Sequence, residues 1–169
     1  MKYLILIIYF VCCNFLVKGN NANLSKANCS DGYIYFEGTH SCYGRDPEIG
    51  LTWSTWPKAE QYCEKHGGHL PSIHSIEESE FIVSISISLN FNIWVGLYSV
   101  DENYSWKWSD STPTDYIPWF YGYVYPIDYR VNASCAYVYP EFDQRGSLVN
   151  DFCNNEQYFI CQIPAAKNS

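Results

Sequence analysis

Beyond residue 19 the chain has no hydrophobic run long enough to span a membrane, no Cys-x-x-Cys pair, no Gly-x-Ser-x-Gly elbow, no internal repeat and no low-complexity tract. Each absence removes a class of protein. Without an apolar run of about twenty residues there is no membrane-spanning helix. Without a Cys-x-x-Cys pair, the common spacing for a structural zinc site is missing. Without an activated nucleophile or a paired acid and base, the chain is read as a non-enzyme. Basic residues are also scarce: Lys and Arg total 10 against 18 Asp and Glu, a net charge of -8, which disfavours nucleic acid and anionic membranes as partners.

What is present begins with Met1-Lys2 and the apolar run Tyr3 to Val11, too short and wrongly flanked for a stable span and read as part of a signal peptide over residues 1–19. Cys12 and Cys13 would leave with it. The remaining cysteines, Cys29, Cys42, Cys63, Cys135, Cys153 and Cys161, are even in number and expected to form disulfides in an oxidising, extracellular compartment. Asn23, Asn28, Asn103 and Asn132 each begin an N-glycosylation sequon, in keeping with a secreted chain. The mature length of about 150 residues suffices for one domain with a real core and no second one. Aromatics make up 18 % of the chain, with 16 Tyr and 6 Trp, so some should lie on a recognition surface.

Residues 20–28 read as a short polar segment. Tyr33 to Phe36 alternates as a strand, Glu37-Gly38-Thr39-His40 turns the chain, and Cys42-Tyr43 returns; a Cys29–Cys42 bridge would close this hairpin locally. Thr55 can cap a helix through Trp56, Ala59 and Cys63, with Pro57 in its first turn and Gly67-Gly68 at its end. Ser75-Ile76-Glu77-Glu78 is a capping box that starts a second helix, whose apolar face continues through Phe81, Ile82, Ile85 and Leu89. The tract Ile82 to Ile87 also alternates like a strand; the cap and the longer spacing favour helix. Ile93 to Leu97, Trp106 to Trp108, Ala136 to Tyr139, Leu148-Val149 and Tyr158 to Cys161 read as strands, while residues 110–134 contain none. Helices first and strands afterwards predict an α+β fold, and the long strandless stretch is where a binding site is expected.

Trp56-x-x-Ala59-x3-Cys63, Gly67-Gly68-x-Leu70-x-Ser72-Ile73, Glu78-x-x-Phe81-Ile82, Trp94-Val95-Gly96-Leu97, Trp106-x-Trp108-Ser109-Asp110 and Cys153-x7-Cys161 occur in that order. Together they resemble the long form of the C-type lectin-like domain over residues 29–164, leaving 165–169 as a tail. The stretch from Asp110 to Trp119 is similar to members of large invertebrate, including nematode, lectin families. The resemblance implies a double-loop α+β fold with two helices flanking small antiparallel sheets, and bridges Cys29–Cys42, Cys63–Cys161 and Cys135–Cys153. It also implies recognition of a glycan or an extracellular protein, and by family analogy a role in host defence or innate immunity.

Sugar-binding members hold calcium with a Glu-Pro-Asn or Gln-Pro-Asp tripeptide, a further glutamate and an Asn-Asp pair; calcium needs six to eight oxygen ligands. Here Asn150-Asp151 matches the pair, preceded by Val149 where the family has Trp. Pro126 is flanked by Tyr125 and Ile127, and Ala133 stands where the glutamate is expected. Asp128, Asn150 and Asp151 are thus the candidate calcium ligands, a short set, and Asn150-Asp151 can equally serve loop hydrogen bonding. Trp119, Tyr121, Tyr125, Asp128, Asn150 and Asp151 form the candidate ligand-binding set. Phe120, Tyr123 and Tyr129 extend the aromatic group, which either contacts a ligand or folds back as the loop's own core. A glycan on Asn132 would lie beside this face. His66, His69 and His74 are read as surface residues, since the Gly-Gly helix end breaks any fixed ligand spacing. Asp101-Glu102, Glu77-Glu78 and Asp110 are read as solvated carboxylates without an acid–base partner. No coiled coil or spare cysteine indicates an oligomeric state.

Overall fold

The computed structural model describes residues 29–47, 53–101, 105–120, 134–143 and 146–166. In chain order these form β1 (Tyr33–Phe36), β2 (Ser41–Gly44), α1 (Trp56–Lys65), α2 (Ile76–Leu89), β3 (Ile93–Tyr98), β4 (Lys107–Trp108), β5 (Cys135–Asp143), β6 (Gly146–Asp151), β7 (Tyr158–Phe159) and β8 (Cys161–Pro164). The α+β class follows directly. An antiparallel sheet of order β1-β2-β8 joins the two ends of the domain, and a second sheet runs β4-β3-β5-β6. Among the named strands the expected all-antiparallel arrangement has one exception: β7 lies parallel to β3, pairing Ile93 with Tyr158 and Trp94 with Phe159. It uses the first half of one edge of β3, and β4 takes the second half at Leu97 and Tyr98.

The near-continuous apolar run of β3 is explained by its two covered faces. Ile93, Val95 and Leu97 join a cluster with Ile82 and Val83 of α2, Val138 and Leu148. Trp94 turns the other way, into a cluster with Ala59 and Cys63 of α1, Leu70, Phe159 and Cys161. The spacing of Ala59 and Cys63 therefore marks the buried stripe of α1, as read from sequence; both are fully buried. Three disulfides close the fold: Cys29–Cys42 within the first hairpin, Cys63–Cys161 from α1 to β8, and Cys135–Cys153 from β5 to the turn after β6.

Both helix starts differ in detail from the sequence reading. Thr55 is the extended residue before α1, yet its hydroxyl makes no capping hydrogen bond. The Trp56 N–H donates instead to the Cys153 carbonyl at 3.0 Å, so a neighbouring segment does what a cap would do. At α2 the Ser75 hydroxyl accepts from the Glu78 N–H at 3.1 Å, but the Glu78 carboxylate reaches past Ser75 to accept from the His74 N–H at 2.8 Å. It is drawn there because its other oxygen accepts from the buried Tyr43 hydroxyl at 2.5 Å. The helix then runs unbroken through the ambiguous Ile82 to Ile87 tract and ends on Asn90 in the left-handed region, φ 57°.

Candidate ligand-binding site

β6 pairs antiparallel with β5, placing Asn150 opposite Ala136 and Asp151 opposite Cys135. Both are buried. One Asp151 oxygen, Oδ1, accepts from the Phe152 N–H at 2.8 Å and from Asn155 Nδ2 at 2.9 Å; Oδ2 accepts from Gln157 Nε2 at 3.3 Å. Gln157 is itself held, its Oε1 accepting from Asn92 Nδ2 at 3.3 Å and its backbone bridging Ser54. Asp151 is therefore surrounded by N–H donors that satisfy a carboxylate without a cation.

The chain enters the neighbouring segment through Trp119, expected from sequence to be a contact residue. The structure makes it a core residue instead: it is 9 % exposed and packs edge-on against Trp106 at a centroid distance of 4.9 Å. Its backbone forms an isolated parallel bridge with Leu148 of β6, and Ser147 and Leu148 donate to the Pro118 carbonyl at 2.8 and 2.9 Å. Phe120 packs edge-on against Tyr139. Tyr121, Tyr123, Tyr125, Asp128, Tyr129 and the sequon residues Asn103 and Asn132 lie outside the described residues, as do Asn23 and Asn28. The segment 120–134 thus has both ends fixed to β6, at Leu148 through Trp119 and at Asp151 through Cys135.

For calcium, the described residues of this site offer only the side-chain oxygens of Asn150 and Asp151, far short of six to eight ligands. They do not fit a calcium cage.

Several carboxylates read as solvated are structural. Glu78 is 1 % exposed. Asp110 accepts from the Ser72 hydroxyl at 2.6 Å and from Thr112 through both its N–H and its hydroxyl, at 2.9 and 2.6 Å. Burial pushes the Asp110 carboxyl up, but these hydrogen bonds outweigh it and hold its pKa below the ordinary value. Asp101 accepts from the Ser99 hydroxyl at 2.8 Å and from Ser105, whose bonds lower its pKa to about 2. The histidines also depart from a plain surface role: His66 is exposed, but His69 Nδ1 lies 2.6 Å from the buried Glu60 carboxylate and His74 Nδ1 3.1 Å from Asp115. Sequence reasoning misses Glu60, although its place beside Ala59 on the buried stripe is a usable signal.

Helices on either side of a pair of sheets, ends joined by β2 and β8, and a long segment tethered at both ends to β6 define a disulfide-stapled recognition domain. The family model described as Lectin C-type domain matches residues 52–163. The chain belongs to the C-type lectin-like domain family. It is 36 % identical over 149 residues to Struthiocalcin-2 of Struthio camelus, covering 81 % of this chain and 96 % of that one. It is 30 % identical over 137 residues to C-type lectin lectoxin-Lio1 of Erythrolamprus poecilogyrus, covering 79 % and 75 %. Among solved structures it matches the mouse scavenger receptor C-type lectin carbohydrate-recognition domain with TM-score 0.68 and 26 % identity, over 83 % of this chain and 100 % of that one. A calcium-independent type II antifreeze protein matches with TM-score 0.66 and 26 % identity, over 82 % and 96 %.

Proposed function

We propose that this chain is a secreted recognition protein that binds a carbohydrate through the aromatic segment following Trp119, without relying on a calcium ion held by Asn150 and Asp151. The observation that carries the reading is the double tether to β6: Trp119 bridges Leu148 and Cys135 pairs with Asp151, so Tyr121, Tyr125 and Asp128 belong to a segment anchored on the strand that bears Asn150 and Asp151. Tyrosines suit sugar faces because each offers an apolar ring beside a hydroxyl. The leader over 1–19, the domain limits 29–164, glycans on the four sequons and a host-defence role complete the proposal. The three disulfides support an oxidising compartment.

A second reading, binding of an extracellular protein without calcium, is favoured by the donor shell that already satisfies Asp151. The deciding experiment pairs calorimetric titration of calcium into the wild-type and Asp151→Ala proteins with a glycan array run with and without added calcium. The expected result is no Asp151-dependent calcium binding up to millimolar concentration and glycan signals that do not need the ion. Saturable calcium binding abolished by Asp151→Ala would overturn the calcium-free reading. A silent array with capture of a protein partner would replace the carbohydrate reading by the second.

A further inference from the structure

The C-terminal half of α1 breaks two local rules. Glu60 and Glu64 are one turn apart on the same face, where like charges repel, and Glu64 stands in the last turn, at the negative pole of the helix dipole. Glu60 is moreover buried, so its carboxylate needs polar partners, and it finds them in His69 and the Leu70 N–H. Sites at which a sequence departs from local preference are often functional.

A nitrogen donor completes the group. Gly67, at φ 83°, reverses the chain after α1, and Gly68 lets it approach β8 so closely that a Cβ there would lie 2.1 Å from the Gln162 carbonyl oxygen. His69 then pairs with Gln162 as an isolated bridge, which brings its ring back over the helix the chain has just left. Its Nδ1 lies 2.6 Å from Glu60 Oε1, and Glu60 Oε2 accepts from the Leu70 N–H at 2.9 Å. One ligand atom from each of Glu60, Glu64 and His69 lies within 4.8 Å of the others. Among the described residues Glu64 has no salt-bridge partner. A groove of about 550 Å³ opens beside Glu64 and His69, lined also by Ser41, Asp110 and Gln162.

We infer that Glu60, Glu64 and His69 form a binding site for a divalent transition-metal ion of the zinc class, separate from the segment anchored on β6. The mixed set of two carboxylate oxygens and one imidazole nitrogen matches zinc chemistry, whereas calcium and magnesium take oxygen alone. A divalent ion would take the place of the proton shared between His69 Nδ1 and Glu60 Oε1, leave the Leu70 N–H bond to Oε2 intact, and remove the repulsion between the two carboxylates. Three protein ligands leave a fourth tetrahedral position open to water or to an oxygen or nitrogen donor of a small ligand, and the groove beside Glu64 and His69 would admit one.

The test uses the disulfide-bonded chain and the metals alone. Zinc is titrated by calorimetry, and cobalt serves as a spectroscopic substitute whose visible bands report four-coordination. Glu64→Gln is the main variant, because Glu64 is exposed and its replacement leaves the core untouched; His69→Ala is the second, and His66→Ala controls for adventitious histidine binding. Expected are one zinc per chain, affinity weakened at least about tenfold in Glu64→Gln and His69→Ala, and no change in His66→Ala. Failure of the wild type to bind zinc, binding indifferent to Glu64→Gln, or binding lost in His66→Ala would each overturn the assignment.

Discussion

Tyr43 joins three parts of the fold through one hydroxyl. It is fully buried on β2, donates to Glu78 at the start of α2 at 2.5 Å, and lies 3.0 Å from the Thr39 hydroxyl. Burial, then the hydrogen bond to Glu78 and its charge, push the Tyr43 pKa well above the ordinary value of 10.0. Its protonated form is the one the fold favours, so the contribution to stability is complete below pH 10 and is lost as pH rises from there toward the raised value. We expect Tyr43→Phe to destabilise the protein by about 1.5–3 kcal/mol in denaturant unfolding, the scale for a hydrogen bond to a charged group. Burial also raises the pKa of Tyr33, Tyr62 and Tyr116, so the check is a difference: the wild type should show a tyrosinate absorbance step that appears only as the chain unfolds at high pH, and the variant should show that step smaller by one ring. Nothing in the sequence around Tyr43 announces this role: its partner is 35 residues away. The same holds for Asp151, legible as half of an Asn-Asp pair, while Asn155, Gln157 and Asn92, which determine what its carboxylate can do, carry no local signal.

At the scale of elements, α2 and the stretch before residue 120 show where local patterning succeeds and where it fails. Residues Ile82 to Ile87 alternate as a strand would, yet Ser75 and Glu78 start a helix and Asn90 ends it, with Ser86 buried and donating to the Phe91 carbonyl at 2.5 Å. Capping is a local, directional interaction and so can be read from sequence; the choice between two periodicities is made by what the faces pack against. Trp119 departs from its expected contact role for the same reason. An aromatic residue in a strandless stretch has no periodicity to mark it as core, and only its packing on Trp106 and its bridge to Leu148 do so. Trp119→Ala should therefore cost about 3–5 kcal/mol in urea unfolding, as for other buried large-to-small changes. A stability unchanged within error, with ligand binding lost, would return Trp119 to the contact surface.

The whole molecule is held by bridges that close loops of very different length. Cys63–Cys161 spans 98 residues and Cys29–Cys42 only 13. In the chain-entropy view the longer loop contributes about 4.7 kcal/mol and the shorter about 3. Replacing both members of the long bridge with Ala should thus lower the unfolding midpoint more than replacing both members of the hairpin bridge, as checked by denaturant titration. An equal effect would mean that residual structure in the unfolded chain, rather than loop entropy, sets the scale. The α+β class, both helices, nearly every strand and the family are legible in the order of residues, because hydrophobic period, capping and motif spacing are local quantities, while the pairing of Cys63 with Cys161 and of Cys135 with Cys153 is implied by the family resemblance alone. Three outcomes needed the folded chain: the packing of Trp119 against Trp106, the donors that surround Asp151, and the meeting of Glu60 and Glu64 with His69. They depend on contacts made only in the folded chain, such as the pairing of His69 with Gln162 on β8, which no local pattern encodes.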